Sequence, residues 1–120
     1  MTKVVYNNCY GGFGLSHAAI MRYAELKSIT LYPKVGKFRD FDYYKDSNFD
    51  PESYWYYGSE ITDRTDPALV QVVEELGDAA NDNYAKLVIE DIPAGTRYRI
   101  LEYDGNEWIE TDHSIDWSVA

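Results

Sequence analysis

Residues 66–77 carry the start, the face and the stop of one short helix, and they constrain the fold more than any other segment. Asp66 can cap this helix, Pro67 takes the first helical position, where its missing N–H costs nothing, and Gly77 is a typical C-terminal stop. The apolar residues between them follow the i, i+3, i+4, i+7 spacing of one helical face: Leu69, Val72, Val73 and Leu76. Because an apolar face must be covered, the rest of the chain has to provide a core for this helix.

A strand, a glycine turn, a helix and a second strand precede this segment. Residues 3–10 contain strand-forming Val and Tyr, and the glycines within residues 11–14 end that strand. Ser16 is a natural N-cap for a helix whose apolar residues recur at helical spacing. Residues 29–32 suit a second strand, which Pro33 is expected to end.

Three further strands are predicted after the helix. Residues 87–89 form an apolar run, residues 96–103 alternate in polarity, and residues 107–110 return after a hairpin turn at Asp104 and Gly105. This order of elements predicts an α+β fold with a mostly antiparallel sheet and two helices packed on one face. At 120 residues the chain has the size of one domain, so we expect a single domain spanning residues 1–120.

The stretch at residues 34–58 has no clear period, and we expect it to be long, irregular and rich in aromatic residues. Nine of the nineteen aromatic residues fall between positions 38 and 57. Such rings suit a protein-binding surface, a stacking platform for a nucleotide base, or a second small core. The partner-binding residues expected on the first interpretation are Tyr43, Tyr44, Tyr54, Trp55, Tyr56 and Tyr57.

The charge is uneven along the chain. Residues 74–120 contain three Lys or Arg and twelve Asp or Glu, which gives −9 of the total charge of −10. This half disfavours direct nucleic-acid binding and anionic membranes, and it would attract a basic partner surface. Glu74, Glu75 and Asp78 are the expected contacts of such an acidic face, although an acidic half can equally serve solubility alone.

No catalytic or metal-binding motif is complete. Cys9 could pair with His17 or His113, but no further member of a catalytic set is evident, and one cysteine cannot form an internal disulfide. Residues 46–50 start like a calcium loop and then lack the glycine and the bidentate glutamate. We therefore expect a cytoplasmic protein with no cofactor, no metal, no signal peptide and no membrane span.

The glycine turn is a second candidate site. Gly11, Gly12 and Gly14 lead from a strand into a helix N-terminus, a place where backbone N–H groups can bind an anion, with Asn7 and Asn8 beside it. The spacing is not that of a dinucleotide fingerprint. The alternative is that these glycines only permit a tight turn.

Three segments resemble a group of uncharacterised small bacteriophage proteins. The segments, which cover about a third of the chain, are VVYNNCYGGFGLS at residues 4–16, RTDPALVQVVEELG at residues 64–77 and, more weakly, ILEYDG at residues 100–105. The resemblance implies a phage or prophage origin, a place in the host bacterial cytoplasm and an accessory role. It implies no catalytic residue.

These observations lead to three hypotheses of function. The first is a phage accessory protein that binds a host or phage protein, as an inhibitor or in an anti-defence role, through the aromatic residues and the acidic face. The second is a binder of a nucleotide-like small ligand, or an enzyme, with a pocket near the turn at Gly11–Gly14. The third is a self-associating structural protein whose exposed strand edge or apolar patch forms the interface.

Overall fold

The computed structural model describes residues 2–36 and 41–111, and these residues form an α+β fold. Their strands are β1 (Thr2–Asn7), β2 (Tyr32–Val35), β3 (Phe41–Tyr44), β4 (Tyr54–Trp55), β5 (Leu87–Ile92), β6 (Tyr98–Tyr103) and β7 (Asn106–Thr111). Their helices are α1 (His17–Leu26), α2 (Tyr57–Glu60) and α3 (Pro67–Leu76). The predicted α+β class is confirmed, and none of these helices is long and apolar enough to cross a membrane.

The described strands pair antiparallel, as predicted, but they form three small sheets and not one. β1 pairs with β5, β2, β3 and β4 form a meander, and β6 and β7 form a hairpin. The meander and the hairpin join strands that are close in sequence. Each therefore pairs its strands locally, without extending the sheet of β1 and β5.

The core lies where the two long helices meet β1 and β5. α3 packs against both strands, and α1 packs against α3. The residues at the centre of this core are almost fully buried: Val5, Ala19, Leu69, Val72 and Ala80. The apolar faces predicted for both helices are therefore the faces that fill the core.

The helix boundaries follow the predicted capping signals. Ser16 Oγ accepts a hydrogen bond of 3.1 Å from the N–H of Ala19 at the start of α1, and Asp66 Oδ1 accepts one of 2.9 Å from the N–H of Ala68 at the start of α3. Gly77 ends α3 with a φ of +55°, a backbone conformation that favours glycine. These local signals were sufficient to predict both helices.

The turn between β6 and β7 is also the predicted one. Asp104 and Gly105 both have positive φ, at 51° and 88°. Two consecutive positive φ values are typical of the type I′ turn that matches the twist of a two-stranded hairpin. The Asp-Gly pair therefore fixes the register of this hairpin.

Two strand boundaries differ from the prediction, and the stretch at residues 34–58, expected to be irregular, contains β3 and β4. β1 ends at Asn7, whose side chain bonds to other segments, and does not continue to residue 10. β2 begins at Tyr32 and runs through Pro33, because β2 is an outer strand of the meander, where a missing N–H is tolerated. Phe38 of the aromatic stretch lies outside the described residues.

Candidate binding cleft

An open cleft of about 490 Å³ lies between the meander, the start of α1 and a polar loop of residues 81–84. Its volume falls within the roughly 300–1,000 Å³ of typical ligand clefts. The aromatic residues of the stretch that reach it are Phe41, Tyr43, Tyr54, Trp55, Tyr56 and Tyr57. This aromatic cleft is thus the place where much of the predicted aromatic surface comes together.

The rings of the cleft differ in exposure. Tyr56 and Tyr57 are half-buried, so their rings can meet another molecule. Tyr54 is 41% exposed, but its ring packs on Tyr44 at the opposite face of the meander. Tyr43 and Trp55 are only 7% and 2% exposed and belong to the core, which corrects their predicted place on an exposed surface. The sheet holds these two rings inward, with Trp55 6.3 Å from the ring of Tyr23 on α1.

Tyr44 lies outside the aromatic cleft. Successive side chains of a strand point to opposite faces, so Phe41 and Tyr43 face the cleft while Tyr44 faces away. Its ring packs edge-on at 5.5 Å from Phe49 and at 5.5 Å from Tyr54. This part of the stretch thus forms a small cluster of its own, as the core interpretation expected.

His17 joins α1 to the aromatic cleft. Its Nδ1 lies 2.7 Å from the hydroxyl of Tyr43, and its ring stacks at 4.4 Å on Phe41 and at 5.7 Å on Tyr43. Sequence reasoning considered His17 only as a base for Cys9. Its position directly after the cap Ser16, at the exposed start of α1, was the available signal for a surface role.

The structure does not bring Cys9 to His17. Cys9 Sγ donates a 2.9 Å hydrogen bond to the backbone oxygen of Tyr84 and lies 3.4 Å from Asn7 Oδ1. His113, the other partner considered, is outside the described residues. Among the described residues, Cys9 therefore has the contacts of a packed thiol and not those of a nucleophile with its base.

The polar loop of residues 81–84 was not predicted as part of a site. Asn81 pairs with Leu15 in an isolated antiparallel bridge, and its Oδ1 accepts a 2.9 Å hydrogen bond from the N–H of Leu87. Asp82 Oδ1 accepts a 2.9 Å bond from the N–H of Tyr84, which closes an Asx turn. The run Asn-Asp-Asn signals such a turn in the sequence, but not which surface the turn will meet.

The glycine turn packs tightly against this loop. A Cβ on Gly11 would lie 1.7 Å from the backbone oxygen of Tyr84, and a Cβ on Gly14 would lie 1.9 Å from Asp82 Oδ2. Gly12 has a φ of +90°, so the turn needs glycine there for its backbone. The turn therefore shapes the cleft through close packing, which agrees with the tight-turn interpretation.

Asn7 is fully buried, and its amide is engaged inside the protein. Asn7 Nδ2 donates to the backbone oxygens of Cys9 at 2.9 Å and Gly105 at 2.8 Å, and Oδ1 accepts from the N–H of Lys86 at 2.8 Å. Asn8 is exposed, and only its backbone N–H bonds to Lys86. Neither residue lines the aromatic cleft, and the amide of Asn7 is out of reach of a surface ligand.

The predicted acidic residues lie on another surface, and two of them are paired. Glu74 Oε2 lies 3.0 Å from Lys3 Nζ, and Glu75 Oε2 lies 2.9 Å from Arg22 Nε. The hydrogen bonds from Arg22 lower the pKa of Glu75 to about 2. Asp78 is exposed near the end of α3. Local pairing thus neutralises part of the face that was expected to attract a basic partner.

Within residues 2–36 and 41–111, no three His, Cys, Asp or Glu side chains are grouped so that they could hold a metal ion. The fold and the site together define a small α+β protein with an aromatic cleft bordered by a polar loop. No family model, curated protein or solved structure matches this chain.

Proposed function

We propose that this chain is a binding protein that holds a segment of a partner protein in its aromatic cleft. In line with the resemblance of its sequence, the partner is a host or phage protein and the role is an accessory one. The observation that carries the proposal is the cleft itself, where half-exposed tyrosine rings surround about 490 Å³ of open space. Tyrosine provides large contact area at low entropy cost and is enriched at binding hot spots.

The chemistry of the lining favours a protein segment over a nucleotide. Within the described residues, the cleft has no lysine or arginine in its lining, and Asp82 places a carboxylate there. Phosphate groups need cationic or backbone N–H partners, and the glycine turn that might have offered them is packed against the loop. A peptide segment needs only apolar contact and a few polar groups, and this lining offers both.

Selection of random displayed peptides on the purified protein tests the proposal, because no partner has to be known beforehand. The cleft variant is Tyr84→Ala, and the control is Tyr103→Ala. Tyr84 is 73% exposed in the cleft and Tyr103 is 70% exposed outside it, so both changes remove a similar exposed ring. Circular dichroism of each variant reports whether the fold is retained.

We expect wild type and the Tyr103→Ala variant to retain the same peptides, and the cleft variant to lose them by about tenfold or more. The proposal is wrong if no peptide is selected, or if the folded cleft variant retains every peptide that wild type binds. A nucleotide that competes with the selected peptides would favour the small-ligand hypothesis instead.

A further inference from the structure

We infer that the aromatic cleft recognises an arginine side chain of the bound segment, with Asp82 as the group that receives it. This inference rests on the proposed function and specifies the chemistry of the ligand. It follows from the position of one carboxylate among rings and from the residues that hold that carboxylate in place.

The side chain of Asp82 is oriented by the protein through only one of its two carboxylate oxygens. Its Oδ1 accepts the 2.9 Å hydrogen bond from the N–H of Tyr84, which orients the side chain. Its Oδ2 has no hydrogen-bond or salt-bridge partner within the described residues. Because no described side-chain oxygen is both buried and unpartnered, Oδ2, which lies against Gly14, is not fully buried. A carboxylate has about four acceptor positions, and the N–H of Tyr84 occupies one of those of Asp82.

Several carboxylates near α1 and α3 have cationic partners, whereas Asp82 has none within the described residues. Glu75 is bound by Arg22, Glu74 by Lys3, and Asp66 by Lys27 at 3.2 Å. In the cleft, the described lining residues contain no lysine or arginine to pair with Asp82. The bound segment is therefore the source of positive charge that complements this site.

Arginine fits this lining better than lysine does. A guanidinium can donate two parallel hydrogen bonds to one carboxylate and can stack its flat face on an aromatic ring. Tyr84, the residue that orients Asp82, is an exposed ring in the same lining, and the stacked rings of Phe41 and His17 also border it. Lysine offers a point charge without the planar face, so it should bind more weakly.

Gly14 connects this site to the glycine turn. A Cβ at this position would lie 1.9 Å from Oδ2 and 2.8 Å from Oδ1, so any other side chain would displace the carboxylate. The φ of Gly14 does not fall in the range that requires glycine, so alanine is compatible with the backbone. Gly14→Ala is therefore a second way to disturb the site, and it leaves the charge of the protein unchanged.

The test uses peptides that wild type selects and that the cleft variant loses. We expect these peptides to share an arginine at one position. Replacement of that arginine by citrulline, which is neutral and nearly isosteric, should weaken binding about tenfold or more. Asp82→Asn and Gly14→Ala should each weaken the arginine peptide by a similar factor and leave the citrulline peptide nearly unchanged. Asp78→Asn is the matched control, because it removes one exposed acidic charge outside the cleft.

The outcomes separate this inference from the proposed function. If selected peptides depend on the cleft but bind equally with arginine and citrulline, the inference is overturned and the protein-binding proposal stands. If Asp78→Asn weakens the arginine peptide as much as Asp82→Asn does, general charge and not this site explains the preference. If no peptide depends on the cleft, both fail. A lysine peptide that binds as tightly as the arginine peptide would overturn the preference for a guanidinium.

Discussion

Asn7 shows how a single residue can hold together segments that are far apart in the sequence. Its amide bonds to residues 9, 86 and 105, and its backbone N–H donates a 2.8 Å bond to Glu107 Oε1. Glu107 is buried, and its carboxylate accepts hydrogen bonds from both terminal nitrogens of Arg64, at 2.8 and 2.9 Å. Buried polar groups are stable only when such partners are present, so Asn7 and Glu107 together fix the hairpin to the body.

We expect Asn7→Ala to lower the free energy of unfolding by about 2–4 kcal/mol, since it leaves several buried backbone groups without partners. Asn8→Ala is the matched control, and it should change this free energy by less than about 0.5 kcal/mol because the side chain of Asn8 is exposed. Urea unfolding followed by tryptophan fluorescence measures both values. Equal effects of the two substitutions would contradict the role assigned to Asn7.

At the scale of the elements, Asp66 at the start of α3 makes three contacts that hold this helix in place. Asp66 caps the helix, accepts a 2.7 Å hydrogen bond from the hydroxyl of Tyr23 and lies 3.2 Å from Lys27 Nζ. Burial raises the pKa of the Asp66 carboxyl, but the bonds from Tyr23, Ala68 and Lys27 outweigh burial and hold it below the usual value. Burial, reinforced by Asp66, raises the pKa of Tyr23. The ionised carboxylate therefore stabilises the contact between α1 and α3.

This arrangement predicts a pH dependence of stability. Because the pKa of Asp66 is lower in the folded than in the unfolded state, its contribution is complete above the usual value of 3.8 and is lost as the pH falls below that value. Asp66→Asn should cost about 1–2 kcal/mol near pH 7, and the difference from wild type should shrink toward about pH 3. Urea unfolding at several pH values measures this difference. A difference that stays constant over this range would contradict the role of the charge.

The elements that could be predicted from the sequence are those specified by adjacent residues. The caps at Ser16 and Asp66 and the turn at Asp104 and Gly105 act within a few residues, so they are readable in the sequence. The division into three sheets was not readable, because β1 and β5 pair across about 80 residues of intervening chain.

The candidate site was likewise predictable only in part, on one side of the cleft. The aromatic stretch marked one side of the cleft, but the inward position of Trp55 depends on how β4 meets α1. The other side, the polar loop of residues 81–84, reads only as a turn in the sequence. Its closeness to the cleft depends on the contacts of Gly11 and Gly14 with Tyr84 and Asp82.

At the scale of the whole molecule, charge and exposed apolar surface act in opposite directions. The net charge of −10 makes copies repel one another at low salt. The hairpin of β6 and β7, by contrast, exposes the rings of Tyr98, Tyr103 and Trp108. The register places Tyr103 and Trp108 on one face of the hairpin and Tyr98 on the other, so the first two offer a surface for self-association. Salt decides how strongly charge repulsion opposes this association.

We expect a monomer of 13.9 kDa at low salt and weak association at high salt. The reason is that the Debye screening length falls from about 10 Å at 0.1 M to about 3 Å at 1 M. Light scattering at two protein concentrations and two salt concentrations measures this. Trp108→Ser should remove the association at high salt, whereas Tyr84→Ser, at a more exposed ring in the cleft, should leave it unchanged. A stable dimer at low salt would favour the structural hypothesis, because an assembly protein must associate in spite of its charge. Salt-dependent association that Trp108→Ser abolishes would instead identify the hairpin as a weak secondary surface and leave the aromatic cleft free in the monomer to bind its partner.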